Sequence, residues 1–399
     1  MPERNSQTDA TKPGAERPRG PLAGITVIDL SRILAGPYCT HLMAELGARV
    51  IKVETPGKGD DAREYGPFRE GKSTYFASVN RGKESIALDL KAPADKRIFE
   101  ALLGRADVLV ENFRPGTMEK LGYGWEALHQ RYPRLIYAAA SGFGHTGPFA
   151  NHPAYDMVVQ GLGGIMSITG EPGRPPVRVG TSIGDIGSGL YAAIAVNAAL
   201  LHRERSGEAS KVDIAMFDCQ IALLENAVMR YTVTGEIPGP LGARHPSITP
   251  FEAFATADGS MIIAAGNDGL WRKLCEVLKR PDLAADPGYK TNDLRNRNQA
   301  KLKVELEKEL RRKPTAEWIG IIEAAGLPCG PINNVAGALA HPQVEARNML
   351  VTVEDPAAGT LKLAGNPLKF SAFADPTTRP PAPDLDADRA KILRELGLE

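Results

Sequence analysis

From Pro21 onward the chain alternates short apolar runs with amphipathic or alanine-rich stretches. Ile25–Leu30 has the length and composition of a strand, and the loop Ser31–Gly36 follows it. Pro37 suits the first turn of a helix that stops at Gly47, and Ala48–Glu54 predicts a second strand. The alternation continues with a helix over Ala94–Arg105, a strand over Ala106–Glu111, a helix over Thr117–Tyr132 and a strand over Leu135–Ala140. An Ala-rich helix over Gly189–His202 leads to a strand at Lys211–Ala215 and a helix at Phe217–Tyr231. Strands alternating with helices predict a mostly parallel sheet covered on both faces.

Beyond a Pro/Gly-rich passage, Gly235–Pro250, the pattern changes. Phe251–Phe254 and Met261–Ala265 read as strands around a turn at Ala257–Gly259, followed by helices over Gly269–Lys279, Asn298–Arg312 and Thr315–Ala325. A final helix is expected over Leu385–Leu396. The fold class is therefore α/β, a Rossmann-like parallel-sheet large domain with a second, smaller α+β domain. The expected divisions are a disordered tail 1–20, the first part of the large domain 21–205, a linker 206–235, a small domain 236–327, and a return segment 328–399.

Composition narrows the function. The 399 residues carry 48 Lys+Arg and 48 Asp+Glu, a net charge of zero. A nucleic-acid binder normally shows a basic excess, so none is expected here. A polyanionic small ligand held by a few local cations stays compatible with this balance. Four scattered cysteines with no C-x-x-C pair argue against a disulfide framework and a Cys-rich zinc site, and point to reduced thiols in a cytoplasmic protein. The seven histidines show no H-x-x-x-H pair, so the expected metal complement is none. The longest apolar candidate, Gly189–Leu201, falls short of the roughly 18 residues that span a bilayer, so no membrane association is expected. With 41 Gly and 31 Pro, the chain exceeds the usual shares of about 7% and 5%.

Part of that excess falls where ligands bind in parallel sheets, beyond the carboxyl ends of the strands. Ser31–Pro37, Glu111–Gly116 and Ser141–Gly147 all occupy such ends, and three together favour a site over simple turns. Gly161–Met166 resembles a dinucleotide fingerprint but has Met166 in place of the third glycine. No Walker A sequence or G-x-S-x-G elbow is present. The informative stretch is Val179–Gly189, where Asp185 stands among glycines at the start of an apolar helix. Two readings of Asp185 stay open at this level. It is a favoured N-cap residue, satisfying orphan helix amides. Equally, the helix dipole would keep it ionised as a nucleophile, with neighbouring glycine N–H groups for a developing oxyanion.

The run Ala23-Gly-Ile-Thr-Val-Ile-Asp-Leu30, with Ala35-Gly-Pro37, Leu46-Gly-Ala-Arg-Val-Ile-Lys-Val-Glu54, Gly59-Asp-Asp-Ala-Arg63, Leu88-Asp-Leu-Lys91, Val110-Glu-Asn-Phe-Arg-Pro-Gly116 and Gly184-Asp185, resembles the class III CoA-transferases. The likeness continues through Pro328-Cys-Gly-Pro331 to Arg379-Pro-Pro381. His245–Phe251 and Tyr289–Arg295 look most like transferases for dicarboxylates, such as succinyl-CoA:glutarate CoA-transferase. The resemblance implies Asp185 as nucleophile, CoA and acyl-CoA as substrates with no tightly bound cofactor, a small carboxylic acid as acceptor, and an interlocked homodimer. It also implies CoA contacts at Ile33, Leu34, Leu88, Asp89, Leu90, Lys91, Asn112, Phe113, Arg114, Lys120, Ala140, Ser141, Gly142 and Phe143.

Lys91, Arg114 and Lys120 are then candidate phosphate partners, as against solvated surface charges, and Phe113 or Phe143 candidate adenine contacts. Arg32, Arg63, Arg244 and His245 are candidates for the far carboxylate of a dicarboxylate, Arg through bidentate pairing. Thr55 stands where relatives carry a basic residue, leaving Lys52 or Lys58 as substitutes. Leu241–Pro250 lacks the glycine run of oxalate-accepting relatives, which disfavours oxalate. Two other readings are an acyl-CoA racemase, in which Tyr155 stands in place of the expected His and His152 lies nearby, and a non-catalytic CoA-binding protein.

Overall fold

Five of the predicted runs, joined by an unpredicted strand at Glu84–Ala87, form one parallel sheet whose strands turn alternate side chains toward two helix layers. The computed structural model describes residues 20–399, so the expected tail, apart from Gly20, lies outside the described residues. In chain order the strands are β1 (Thr26–Asp29), β2 (Arg49–Glu54), the short antiparallel pair β3 (Phe68–Arg69) and β4 (Lys72–Ser73), then β5 (Glu84–Ala87), β6 (Val108–Glu111), β7 (Ile136–Ser141) and β8 (Lys211–Ala215). Between them lie α1 (Ala35–Glu45), α2 (Thr74–Asn80), α3 (Pro93–Leu103), α4 (Thr117–Leu121), α5 (Trp125–Arg131), α6 (Asp156–Leu162) and α7 (Ile183–Ser206), with α8 (Met216–Leu223) after β8. The main sheet has the order β5-β2-β1-β6-β7-β8, and every pairing in it is parallel.

Strand alternation sorts the core into two faces. Val27, Val50, Val108 and Ile136 pack with Leu42 and Met43 of α1 and Val196 and Leu200 of α7. Ile28, Ile51, Leu109 and Tyr137 pack with Phe99 and Leu102 of α3 and with Ile392. Close helix crossing depends on Gly189, where a Cβ would lie 2.7 Å from the Ala35 carbonyl oxygen of α1.

The chain divides into two compact units. The larger comprises the residues up to Gly164, Gly180–Glu225 and Glu345–Glu399; the smaller comprises Ile165–Val179 and Asn226–Val344. The segment 206–235 is not a linker, since it contains β8, an edge strand of the main sheet, and α8. Nor does 328–399 return as a whole to the large unit, because Cys329–Pro331 pairs with Ser260–Ala264 in the small unit's sheet. That sheet also holds Phe251–Ala255, and its core gathers Phe254, Trp271, Leu302, Leu306 and Trp318.

The predicted helix over Thr117–Tyr132 is broken into α4 and α5 at Gly122, whose φ of 89° ends the first of them. The helix expected at Gly189–His202 extends at both ends to become α7, 24 residues long. By length and composition α7 is apolar enough to cross a membrane, unlike the shorter run expected, yet half of its most apolar stretch is buried.

The last residues cover an edge of the main sheet. Asp386 accepts the Ala87 N–H at 2.7 Å and Asp388 the Ser85 N–H at 2.8 Å, both along β5. Arg389 donates to the Ala87 carbonyl at 2.8 Å and faces Asp95 at 3.5 Å. These side chains satisfy backbone groups that an open edge strand would leave unpaired.

Candidate active site

In the observed strand order the chain runs outward in opposite directions from β1 and β6, and their following loops part at the carboxyl edge of the sheet. Asn112 ties those loops together. Its Oδ1 accepts the Arg32 N–H and its Nδ2 donates to the Arg32 carbonyl, each at 2.8 Å. Beside Arg32, Ile33 has φ 67°, a conformation that costs a β-branched residue on the order of 1–3 kcal/mol. Its N–H is held by Asp60 Oδ1 at 3.0 Å. Asp60 in turn pairs with buried Lys52 at 2.8 Å.

Beneath the same loop, Asp29 accepts the Ser31 N–H at 2.9 Å, the Thr40 hydroxyl at 2.6 Å and the Lys83 ammonium at 2.9 Å. Burial works against ionisation of Asp29, but Lys83 and Lys52 outweigh it and hold the carboxyl well below the usual range. A sequence scan for motifs misses this group, because its members are separated along the chain and none belongs to a recognisable spacing.

Two cavities open around these loops. One, of 690 Å³, is lined by Leu88–Lys91, Thr55, Arg32, Phe113 and Arg114 among others. The second, of 320 Å³, is lined by Ile33, Leu34, Asn112, Ala140, Ser141, Gly142, His152, Tyr155 and Asp185, again with Arg32, Phe113 and Arg114. The structure thus gathers twelve of the fourteen implied CoA contacts onto two cavities with a common wall. Lys91 and Arg114 are exposed and form no ion pair among the described residues, so both charges remain available.

Asp185 sits at the third position of α7, behind Ile183 and Gly184, and the helix cap is Ser182. The N-cap reading therefore gives way: among the described residues no group donates to the Asp185 carboxylate. Asp156, at the start of α6, supplies a neighbouring charge. Its Oδ1 accepts the Gly184 N–H at 2.8 Å and its Oδ2 the Gln160 amide at 2.7 Å. Burial, reinforced by Asp156, pushes Asp185 up to about 7, working against the ionisation that the helix dipole favours.

The neighbouring glycines serve packing. A Cβ on Gly184 would lie 2.7 Å from Val159 Cγ2, and its N–H is already committed to Asp156 rather than free for an oxyanion. Tyr75, which lines neither cavity, feels the Asp185 charge. Burial pushes its phenol up to about 12, with Asp185 the next contributor.

Several sequence candidates lie elsewhere. Arg63 is spent on a bidentate pair with Glu54, both contacts 2.7 Å, and stacks over Phe76. Arg244 and His245 belong to the small unit. There Arg244 donates to Gln299 at 3.2 Å, while His245 accepts the Ser247 and Ile248 N–H groups and stacks on Phe251. Lys120 lines neither cavity, and Phe143 packs among Phe149, His152 and Phe217 instead of reaching the larger one. Lys52 and Lys58 do not replace the base missing at Thr55, since Lys52 is locked to Asp60 and the Ser31 carbonyl and Lys58 faces Asp61 at 2.6 Å.

An acetyl-CoA:oxalate CoA-transferase of Acetobacter aceti is 46% identical to this chain, over 96% of the chain and 97% of that protein. A succinate–glutarate CoA-transferase of Agrobacterium fabrum is 40% identical, over 94% and 96% respectively. The crystal structure of a CAIB/BAIF family protein from Brucella suis matches with a TM-score of 0.83 and 40% identity, covering 95% of this chain and all of that one. The profile of CoA-transferase family III matches residues 22–389. With the switch-point cavities and the open Asp185 carboxylate, this match establishes that the chain belongs to CoA-transferase family III.

Proposed function

We propose that the enzyme moves CoA from an acyl-CoA donor, succinyl-CoA, to a dicarboxylic acid, with Asp185 as the nucleophile. The observation that carries this reading is the undonated Asp185 carboxylate on a cavity that shares Arg32, Phe113 and Arg114 with a larger, cation-bearing one. CoA phosphates would meet Lys91 and Arg114, with the thioester directed to the smaller cavity. An Asp185 oxygen attacks the thioester carbonyl; the C–S bond breaks, leaving an aspartyl–acyl anhydride and CoA thiolate. The thiolate then attacks the Asp185 carbonyl, forming enzyme-bound CoA thioester and releasing the donor acid as carboxylate. The acceptor carboxylate runs these steps in reverse and leaves as the new acyl-CoA. Leu34, Ala35 and Met216 on the cavity wall favour exclusion of water, which would hydrolyse either intermediate.

Relatives named for oxalate and for glutarate agree on a dicarboxylate acceptor, and the oxalate relative is the more identical of the two. Identity therefore gives no support to disfavouring oxalate. Arg32 remains the candidate for the far carboxylate, since it lines the Asp185 cavity and, among the described residues, its only ion pair is a loose one with Asp61 at 3.8 Å. Mixing the enzyme with succinyl-CoA and digesting it for mass spectrometry is expected to show an adduct on the Asp185 peptide. A donor-by-acceptor panel of succinyl-, acetyl- and formyl-CoA against glutarate, mesaconate, oxalate and carnitine assigns the pair. An unmodified, inactive wild type across that panel refutes the reading.

The partners proposed are acyl-CoA, a small acid and a second copy of the chain. Exposed Met157, Val158, Leu162, Ile194 and Leu201 on α6 and α7 support self-association. Sedimentation at micromolar concentration is expected to give a dimer, and a monomer there refutes it.

A further inference from the structure

Glu111 closes β6 and is buried directly behind the turn that both cavities share. Its Oε2 accepts the Phe113 N–H at 2.6 Å and its Oε1 accepts the Tyr137 hydroxyl at 2.8 Å. His145 Nε2 stands 3.9 Å from the same Oε1, buried and without a hydrogen-bond partner among the described residues. On the other side of that ring, the Lys211 ammonium lies 3.1 Å from Nδ1. An ammonium has only donors to offer, so Nδ1 accepts and the proton of the neutral ring sits on Nε2, directed at Glu111. The carboxylate thus faces two bonded donors and a third one short of bonding distance. One of those bonds fixes the backbone of Phe113, next to Arg114 on the wall of both cavities.

We propose that Glu111 is a positioning residue for acyl-CoA, a proton-sensitive latch on the Asn112–Arg114 turn. This rests on the CoA reading of the two cavities. Ionised, the carboxylate grips the Phe113 N–H through a charge-assisted bond, roughly twice as strong as a neutral one. Protonated, it must give up an acceptor site and use its own O–H as a donor, and the grip on Phe113 weakens. The groups facing it are Tyr137 on β7, His145 on the loop after β7, Lys211 on β8 and Glu119 on α4, with Asp213 of β8 acting on Tyr137 and His145. Burial raises Glu111 to about 7 against the donors that lower it, so the latch changes state near neutrality.

Calorimetric CoA binding by the full-length enzyme at pH 6 and pH 8 tests this, comparing wild type with E111Q. Glutamine keeps the shape and an acceptor while fixing the neutral state. At pH 8, E111Q is expected to bind CoA about fivefold more weakly than wild type, and at pH 6 the two converge. Its melting temperature at pH 8 should not fall, because the substitution removes a buried charge whose raised pKa costs stability above pH 7. A merely structural Glu111 would lower it. Y137F removes one donor to the carboxylate, and the pH at which binding weakens should move upward. Equal CoA affinity of E111Q and wild type at pH 8, or a difference that does not change with pH, overturns the latch while leaving the coenzyme reading intact. A wild type that binds no CoA at either pH overturns the coenzyme reading and the latch with it.

Discussion

Replacing Asp185 by asparagine is expected to cut CoA transfer by a factor on the order of 10⁴ or more while making the protein more stable at pH 8. The loss follows because an amide oxygen cannot form the anhydride, and the other carboxylate on the 320 Å³ cavity, Asp61, is paired with Lys58 at 2.6 Å. The gain follows from proton linkage. Burial and Asp156 raise the folded-state pKa from 3.8 to about 7, so between those values the folded chain holds a proton that the unfolded chain has lost. Stability therefore declines as pH rises through that window and stays lower above it. Removing the charge should recover about 1–3 kcal/mol at pH 8, read as a higher urea midpoint. The same shift places the acid limb of kcat/KM near pH 7, because only the ionised form attacks. Asp156→Asn keeps an acceptor for the Gly184 N–H but removes the neighbouring charge, so that limb should move to lower pH. A D185N protein with substantial activity, or a limb indifferent to Asp156, would contradict the assignment.

The second large effect concerns folding. Lys83→Met should destabilise the protein by about 3–5 kcal/mol, measured by equilibrium urea unfolding. Lys83 is fully buried and donates to Asp29, the Pro37 carbonyl, Thr40 and Asn80. Burial lowers its pKa to about 8 in spite of Asp29, the mark of an ion pair that is costly to enclose. Removing one member is costlier still, because Asp29 is then left ionised in the core with only the Ser31 and Thr40 groups and Lys52 to answer it. Asp29 also shapes the Ser31 turn below the cavities, so the loss of stability should bring a higher KM for acyl-CoA. Asp29→Asn combined with Lys83→Met should restore part of the stability, since the stranded charge is gone. No recovery in the double variant would show that the hydrogen bonds to Pro37 and Asn80 matter more than the charge.

Much of the fold was legible because period-2 and helical patterns act locally. The runs at Ile25–Leu30 and Ala48–Glu54 became β1 and β2, and Lys211–Ala215 became β8 with those bounds. What escaped was decided by distant contacts. Glycine disfavours a helix interior, so the sequence places the start of this helix no earlier than Gly189. Yet α7 begins at Ile183, because Asp156 takes the Gly184 N–H and α6 fills the space beside it.

The site divides the same way. Asp185 stood out by its glycines and by family resemblance, whereas Asp156 and Tyr75 reach it only through the fold. For the arginines, residue type showed a capacity to bind carboxylates but not which carboxylate was already taken, as Glu54 is by Arg63. The family match and the names of the relatives favour the transferase over the racemase and the non-catalytic alternative.

The cover laid over β5 by Asp386, Asp388 and Arg389 bears on how the protein is made. Translation delivers those side chains 299 to 303 residues after the β5 groups they bind. A nascent chain therefore carries an unprotected strand edge until residue 386 has emerged, inviting pairing with a neighbouring nascent chain. Premature termination anywhere before residue 386 leaves that edge permanently bare. The emergence of residues 386–389, and not of the sheet they cover, sets the moment at which that edge is safe from other copies of the chain.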